Sequence, residues 1–227
     1  MHELGYDGLE LRLLDGEPID VLELAPATRR AVAAALVDVA LVCLDTSIVL
    51  AGAFERSLPA AIDLAREWGT ETIRVFGGDV RDDGEVARRI EPLLADDVTV
   101  ALETHDRFAS AARVAALVRA IGSPSFAAIW DLHHPTRVGE SPADVVGELG
   151  SAVRLVHVKD ARRRGDDWEL VPLGAGEVPV RESIAALRAL GYDGWLTVEW
   201  EKRWHPELAE PELALPGELA ALRGLLS

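Results

Sequence analysis

The chain has 227 residues, 49% of them hydrophobic, enough to bury a sizeable core within one domain spanning residues 1–227. Its 23 Lys and Arg stand against 39 Asp and Glu, and the formal net charge of −16 argues against a nucleic-acid or anionic-membrane surface. A small neutral or cationic partner, or a metal, fits such a surface better.

Residues 1–5 show no basic flank leading into an apolar stretch, and no run approaches the ~20 apolar residues of a membrane span, so a cytoplasmic protein is expected. Short aliphatic runs then alternate with longer stretches of helical period. A strand over 8–13 precedes a helix over 27–39, and a strand over 40–44, holding the only cysteine, Cys43, precedes a helix over 57–68. Cys43 has no partner for an intrachain disulfide and reads as a buried thiol. Strands over 72–76, 98–103, 126–131 and 153–159 follow, with helices over 85–95, 110–121, 142–149 and 181–190 between and after them. A strand over 195–200 and a helix over 218–226 close the chain. The segment 204–216, with Pro206, Pro211 and Pro216, reads as an irregular crossing loop because prolines at that spacing oppose a helix.

Repeated strand–helix units point to a parallel (β/α) barrel or an open doubly wound sheet. The barrel is favoured because no Gly-rich dinucleotide fingerprint follows a strand, and polar residues gather at the C-terminal ends of strands, where barrel sites lie. Val100-Ala101-Leu102 runs into Glu103, Ala128-Ile129-Trp130 into Asp131, Leu155-Val156 into His157, and Leu196-Thr197-Val198 into Glu199. Any one of these alone reads more readily as a capping or paired carboxylate, or a satisfied core histidine. Together, at successive strand ends that converge on one mouth, they read as ligands of a divalent cation, since a carboxylate leaving an apolar strand is costly to bury unpaired. Three carboxylates and an imidazole make an oxygen-rich site suited to Mn²⁺ or Mg²⁺, with Co²⁺ or Zn²⁺ possible.

These features come with further motifs: Gly5-Tyr6-Asp7-Gly8-Leu9-Glu10, the Asp-x-x-His of Asp131 to His134, His157-Val158-Lys159-Asp160, Leu173-Gly174-x-Gly176, and Gly191-Tyr192-Asp193-Gly194 leading to Glu199. In this order and spacing the chain resembles the xylose isomerase-like barrels grouped as sugar phosphate isomerases and epimerases. The resemblance implies that Glu103, Asp131, His157 and Glu199 hold the metal, that His134 reaches the substrate or supports a ligand, and that Arg163, six positions after His157, contacts a substrate oxygen.

Such a site supports removal of a proton beside a carbonyl, with Glu103 and Glu199 as the acid/base pair, Asp131 and His157 holding the metal, and His134 at a substrate oxygen. Glu10, at the end of the first strand, is either a substrate contact or an ion-paired carboxylate. Lys159 and Asp160 are expected to pair, with Asp160 also placed to orient His157. Trp130, Trp168, Trp200 and Trp204 wall a sugar pocket or pack in the core. Elimination of a β-hydroxyl by a dehydratase and a non-catalytic metal-binding barrel are the alternatives. An endonuclease IV-like nuclease is opposed by only 6 His and the acidic charge. The substrate is expected to be a sugar, polyol or keto acid, and the assembly a homodimer or higher homo-oligomer. The resemblance also implies that a first strand and helix are lacking, residues 1–4 being at most the tail of that helix. Seven strands should then leave a gap between 8–13 and 195–200, bridged directly, lined by side chains and water, or covered by a partner chain.

Overall fold

A computed structural model describes residues 4–227; the expectation for residues 1–3 lies outside the described part. Its main sheet is a run of parallel strands paired in sequence order: β1 (Gly8–Leu11), β2 (Ala40–Val49), β3 (Thr72–Phe76), β4 (Thr99–Glu103), β5 (Phe126–Asp131), β6 (Val153–Val158) and β7 (Trp195–Val198). Helices α1 (Pro26–Ala35), α2 (Ser57–Trp68), α3 (Asp83–Ile90), α4 (Ala111–Ile121), α5 (Pro142–Leu149), α6 (Val180–Leu190) and α7 (Pro211–Leu226) alternate with them.

Side chains alternate across a strand, and here the alternation separates two apolar layers. Val100, Leu102, Trp130 and Val156 point outward into one large core shared with helix residues such as Leu58, Leu64, Leu117 and Ile184. Cys43, Ala101, Ile129 and Leu155 form a separate small cluster on the inner face. Two residues further along the same strands stand Asp45, Glu103, Asp131 and His157, so the next inward layer is charged. The register of β5 on β6, with Asp131 opposite His157, puts two of these residues side by side. Cys43 is fully buried and free, as its neighbours suggested.

β1 and β7 are the two ends of the sheet and are not paired with each other. Near the bottom of the seam the Trp195 ring reaches across to Gly8, where an added Cβ would lie 3.3 Å from the ring and 2.8 Å from Val42. Above that, the expected gap is a cavity of about 920 Å³ lined by Leu9 and Glu10 on one side, Leu196 and Glu199 on the other, and Leu219 and Leu222 of α7 behind.

Several bounds are shorter than expected, the helices over 27–39 and 85–95 ending at Ala35 and Ile90 and the strands over 8–13 and 195–200 at Leu11 and Val198, and one segment is of a different kind. The segment 204–216 is not irregular to its end, because α7 begins at Pro211 and runs through Pro216. Pro211 occupies the first turn, where a missing N–H costs nothing. Pro216 removes one helical hydrogen bond, a loss of about 3 kcal/mol in an exposed helix. Here it is offset by burial of Leu222, by the Tyr6 hydroxyl donating to the Leu215 carbonyl at 2.8 Å, and by Glu218 accepting from the Leu173 N–H at 3.1 Å. A second feature had no clear sequence signature: after β6 the chain forms an antiparallel hairpin, Asp160–Arg164 with Asp167–Val171.

Candidate metal centre

Glu103, Asp131, His157 and Glu199 are brought together, each offering one ligand atom within 4.8 Å of all the others. The first three are supplied by the ends of β4, β5 and β6. Glu199 follows β7, its N–H donating to the Val158 carbonyl at 3.1 Å, which holds it beside the end of β6. His157 Nδ1 lies 3.1 Å from Glu103 Oε1 and 3.8 Å from Glu199 Oε2. The Glu103 side chain is 1% exposed and that of Glu199 25%, so Glu199 is the carboxylate that opens toward solvent.

Asp131 divides its two oxygens between structure and site. Oδ1 accepts the backbone N–H groups of His133 and His134 at 2.8 and 3.2 Å, capping the short helix His133–Arg137. Oδ2 faces the cluster. The capping and ligand readings of Asp131 are therefore compatible, because they use different atoms.

Two cations brace the carboxylates. The Arg74 guanidinium, buried inside β3, lies 3.1 Å from Glu103 and 4.0 Å from Asp45. The Lys159 ammonium lies 2.8 Å from Asp131 Oδ2 and 2.7 Å from Glu199, and also contacts Glu201. Burial alone would raise the Glu103 carboxyl, but Arg74 and His157 outweigh it and hold it down to about 2. Glu199 is likewise held well below the usual range, burial being opposed by Lys159 and His157. Burial raises Asp131 to about 6 against the pull of Lys159. His157, which burial would neutralise, is kept protonated by Glu10, Glu199 and Glu103.

The donor set fits a divalent cation. Glu103 Oε2 and Asp131 Oδ2 are buried and take no hydrogen bond, only the ion-pair contacts with Arg74 and Lys159, so each retains acceptor capacity. An oxygen-rich set with one imidazole is the chemistry of a hard or borderline ion.

The other expected site residues separate. His134 is buried at the mouth with its Nε2 free of any hydrogen-bond partner, its ring tilted against that of His105 at 4.5 Å, while the His133 ring stands 5.3 Å from Trp168 of the hairpin. Burial, then Lys159, pushes both His133 and His134 down to about 3, so both are neutral imidazoles. Glu10 lies on a partly exposed strand, but its side chain is only 5% exposed, with Oε2 3.1 Å from His157 Nε2. Arg163 is on the exposed hairpin and donates to the Gly165 carbonyl at 3.0 Å, away from the cluster. Lys159 does not pair with Asp160. Instead Asp160 accepts the N–H groups of Ala161, Gly174, Gly176 and Val178, pinning the Leu173-Gly174-x-Gly176 turn against β6. A Cβ on Gly176 would sit 2.1 Å from that carboxylate, which is why the position takes glycine. Trp130 packs outward in the core, Trp200 lines the seam cavity, and Trp204 is exposed.

Arg74, Asp45 and Glu201 were not foreseen. For Arg74 a signal existed: a charged residue at the inward phase of the apolar strand Thr-Ile-Arg-Val-Phe must find a buried partner.

Comparison with known proteins agrees with this architecture. A family model described as xylose isomerase-like TIM barrel matches residues 1–225. No curated protein matches by sequence. Among solved structures, the probable 3-DHS dehydratase AsbF of Bacillus anthracis superposes with a TM-score of 0.76 at 21% identity, covering 98% of this chain and 90% of that one. A xylose isomerase domain protein from Planctomyces limnophilus gives 0.78 at 20% identity, covering 99% and 88%. A D-psicose 3-epimerase, crystallised in the presence of D-fructose, gives 0.75 at 18% identity, covering 98% and 89%.

Proposed function

The chain belongs to the xylose isomerase-like TIM barrel family, and from that premise we propose that it is a divalent-cation-dependent isomerase or epimerase of a small sugar or keto sugar, working by proton transfer beside a carbonyl. The observation that carries the reading is the convergence of Glu103, Asp131, His157 and Glu199 within 4.8 Å at the mouth of the barrel. A cation held by these four, Mn²⁺ or Mg²⁺ in preference to Co²⁺ or Zn²⁺, would polarise a substrate carbonyl and stabilise the charge that develops on it.

The chain's own residues supply the rest. Glu199 and Glu103 share the cluster and are both held in the ionised form, the state that accepts a proton. In both, burial opposes the charged form and is outweighed by neighbouring cations, Arg74 and His157 at Glu103 and Lys159 and His157 at Glu199. Lys159 holds Glu199 in place and charged. His134, neutral and with a free Nε2, is positioned to hydrogen-bond a substrate oxygen. A basic phosphate cradle is absent from the motifs, which favours an unphosphorylated sugar, polyol or keto acid.

Loss of a β-hydroxyl after the same proton removal would make the enzyme a dehydratase, and likeness to the AsbF structure keeps that reading beside the first. The wider reading is one domain over residues 1–227, cytoplasmic, working as a homo-oligomer, most simply a C₂ dimer. The experiment is a screen of ketoses, polyols and keto acids with Mn²⁺, Mg²⁺ and Co²⁺, following product stereochemistry and release of water. Epimerised or isomerised product supports the proposal, and dehydrated product the second reading. Protein that binds no divalent ion and shows no thermal shift with Mn²⁺ would overturn both.

A further inference from the structure

His157 is shared by two clusters. Its Nδ1 faces Glu103 and Glu199, whereas its Nε2 faces Glu10, and Glu10, Asp45 and His157 form a second group whose ligand-type atoms lie within 4.8 Å of one another. Glu10 Oε1 and Asp45 Oδ1 are both buried and take no hydrogen bond from any other donor. This second group has either to hold a second cation or to act on the imidazole.

Two features decide against a second cation. An imidazole that binds ions through both nitrogens must lose both its protons, and the Arg74 guanidinium 4.0 Å from Asp45 already supplies positive charge there. A single proton on Nε2, donated to Glu10, satisfies the geometry at no such cost. Which imidazole nitrogen is free to bind is set by the hydrogen bond that the other makes.

We propose that Glu10 is the positioning residue that fixes His157 in its Nε2–H form and so presents Nδ1 to the cation. It takes Glu10 out of the substrate-contact role and gives it the orienting role that the sequence suggested for Asp160, which the structure shows bonded to backbone N–H groups instead. Leu9 and Leu11, which flank Glu10 on β1, pack against the outer core, so strand alternation sends the carboxylate inward at the height of His157. The inference rests on the proposed cation site.

The test uses Zn²⁺, which is diamagnetic, on the full chain and on Glu10→Gln, which keeps the shape of the side chain and removes its charge. Calorimetry should show one Zn²⁺ per chain in the unsubstituted protein and binding weakened by about 10–100-fold in Glu10→Gln, the range for loss of a residue that orients a ligand. The surface substitution Asp97→Asn, which removes only an exposed pair with Arg66, should leave binding unchanged. Imidazole ¹⁵N spectra of the Zn²⁺-loaded unsubstituted protein should show His157 with a proton on Nε2 and the shift of a metal-bound nitrogen on Nδ1. Those spectra need no variant, so the inference stays testable if Glu10→Gln fails to fold. Zinc on Nε2, equal affinity in Glu10→Gln, or two ions per chain falling to one in Glu10→Gln would each overturn it. Failure of the unsubstituted protein to bind Zn²⁺, Mn²⁺ or Mg²⁺ would instead overturn the cation site itself.

Discussion

The closed side of the barrel and its seam are built differently. Along β3 to β6 each strand is hydrogen-bonded on both edges and nearly every residue is buried, whereas every residue of β1 and β7 is at least partly exposed and each strand has one unpaired edge beside the cavity. Glu103, Asp131 and His157 come from the closed side and are almost inaccessible. Glu199 comes from the seam side and is the exposed member of the four. Rigid packing thus holds the groups that must keep their spacing, and the more open strand carries the group best placed to meet an incoming molecule.

Arg74 should be the costliest residue to lose on the closed side. Arg74→Met removes the guanidinium from Glu103 and Asp45 and leaves His157 as the cation beside them, and removing one partner of a buried pair costs about 3–5 kcal/mol. Chemical denaturation of the metal-free protein should show a loss of that size. A change below about 1 kcal/mol, the scale of an exposed pair, would break the contrast drawn between the two sides.

Glu199→Gln should do the reverse, preserving stability while removing function. The side chain is partly exposed and its shape is retained, so the melting temperature should hold, while turnover on a substrate found by the sugar screen falls at least ~10² if the carboxylate moves the proton. Unchanged turnover would remove Glu199 from the chemistry.

The mouth adds a pH dependence. His133 and His134 are depressed to about 3 in the fold against an ordinary value of 6.5, so the folded protein resists protonation that the unfolded chain accepts. Their contribution is complete above about pH 6.5 and is lost progressively as pH falls toward 3. The urea midpoint of the unsubstituted protein should therefore drop more between pH 7 and pH 4 than that of His133→Asn. Equal slopes would mean that His133 is not buried in neutral form.

How far the sequence could be read follows the same division. The strands Thr72–Phe76 and Phe126–Asp131 and the helices Ser57–Trp68 and Pro142–Leu149 have the bounds that periodicity implies, since apolar phase, a Gly69 cap in the left-handed region and the Ser141–Asp144 capping box all act locally. The four clustered residues were legible because each ends an apolar strand. The partners of Lys159 were not, because Asp131 and Glu201 are neighbours only across strands, while the adjacent Asp160 is drawn away by backbone N–H groups. The hairpin was hidden by Arg162-Arg163-Arg164, which has the composition of a solvated loop. α7 crossed Pro216 because tertiary burial outweighed a local penalty.

The smallest expected difference, that between two matched leucines, separates the two sides by packing alone. Leu102 on β4 is fully buried in the outer core with paired strands on either side, so Leu102→Ala leaves a cavity that its neighbours cannot collapse into, a cost of about 2–5 kcal/mol. Leu196 on β7 has the same outward phase and packs against the same core, but it is only partly buried and borders the seam cavity. Truncation there adds space to a void that already exists, and β7 can shift on its unpaired edge, so Leu196→Ala should cost no more than about 2 kcal/mol, the low end of that range. The two variants, compared by denaturation under one set of conditions, isolate the effect of closure, because side-chain chemistry and orientation are matched. Equal losses would mean that the seam is packed as tightly as the rest of the barrel in solution. A still smaller loss at Leu196 would show that the cavity tolerates rearrangement along its whole height.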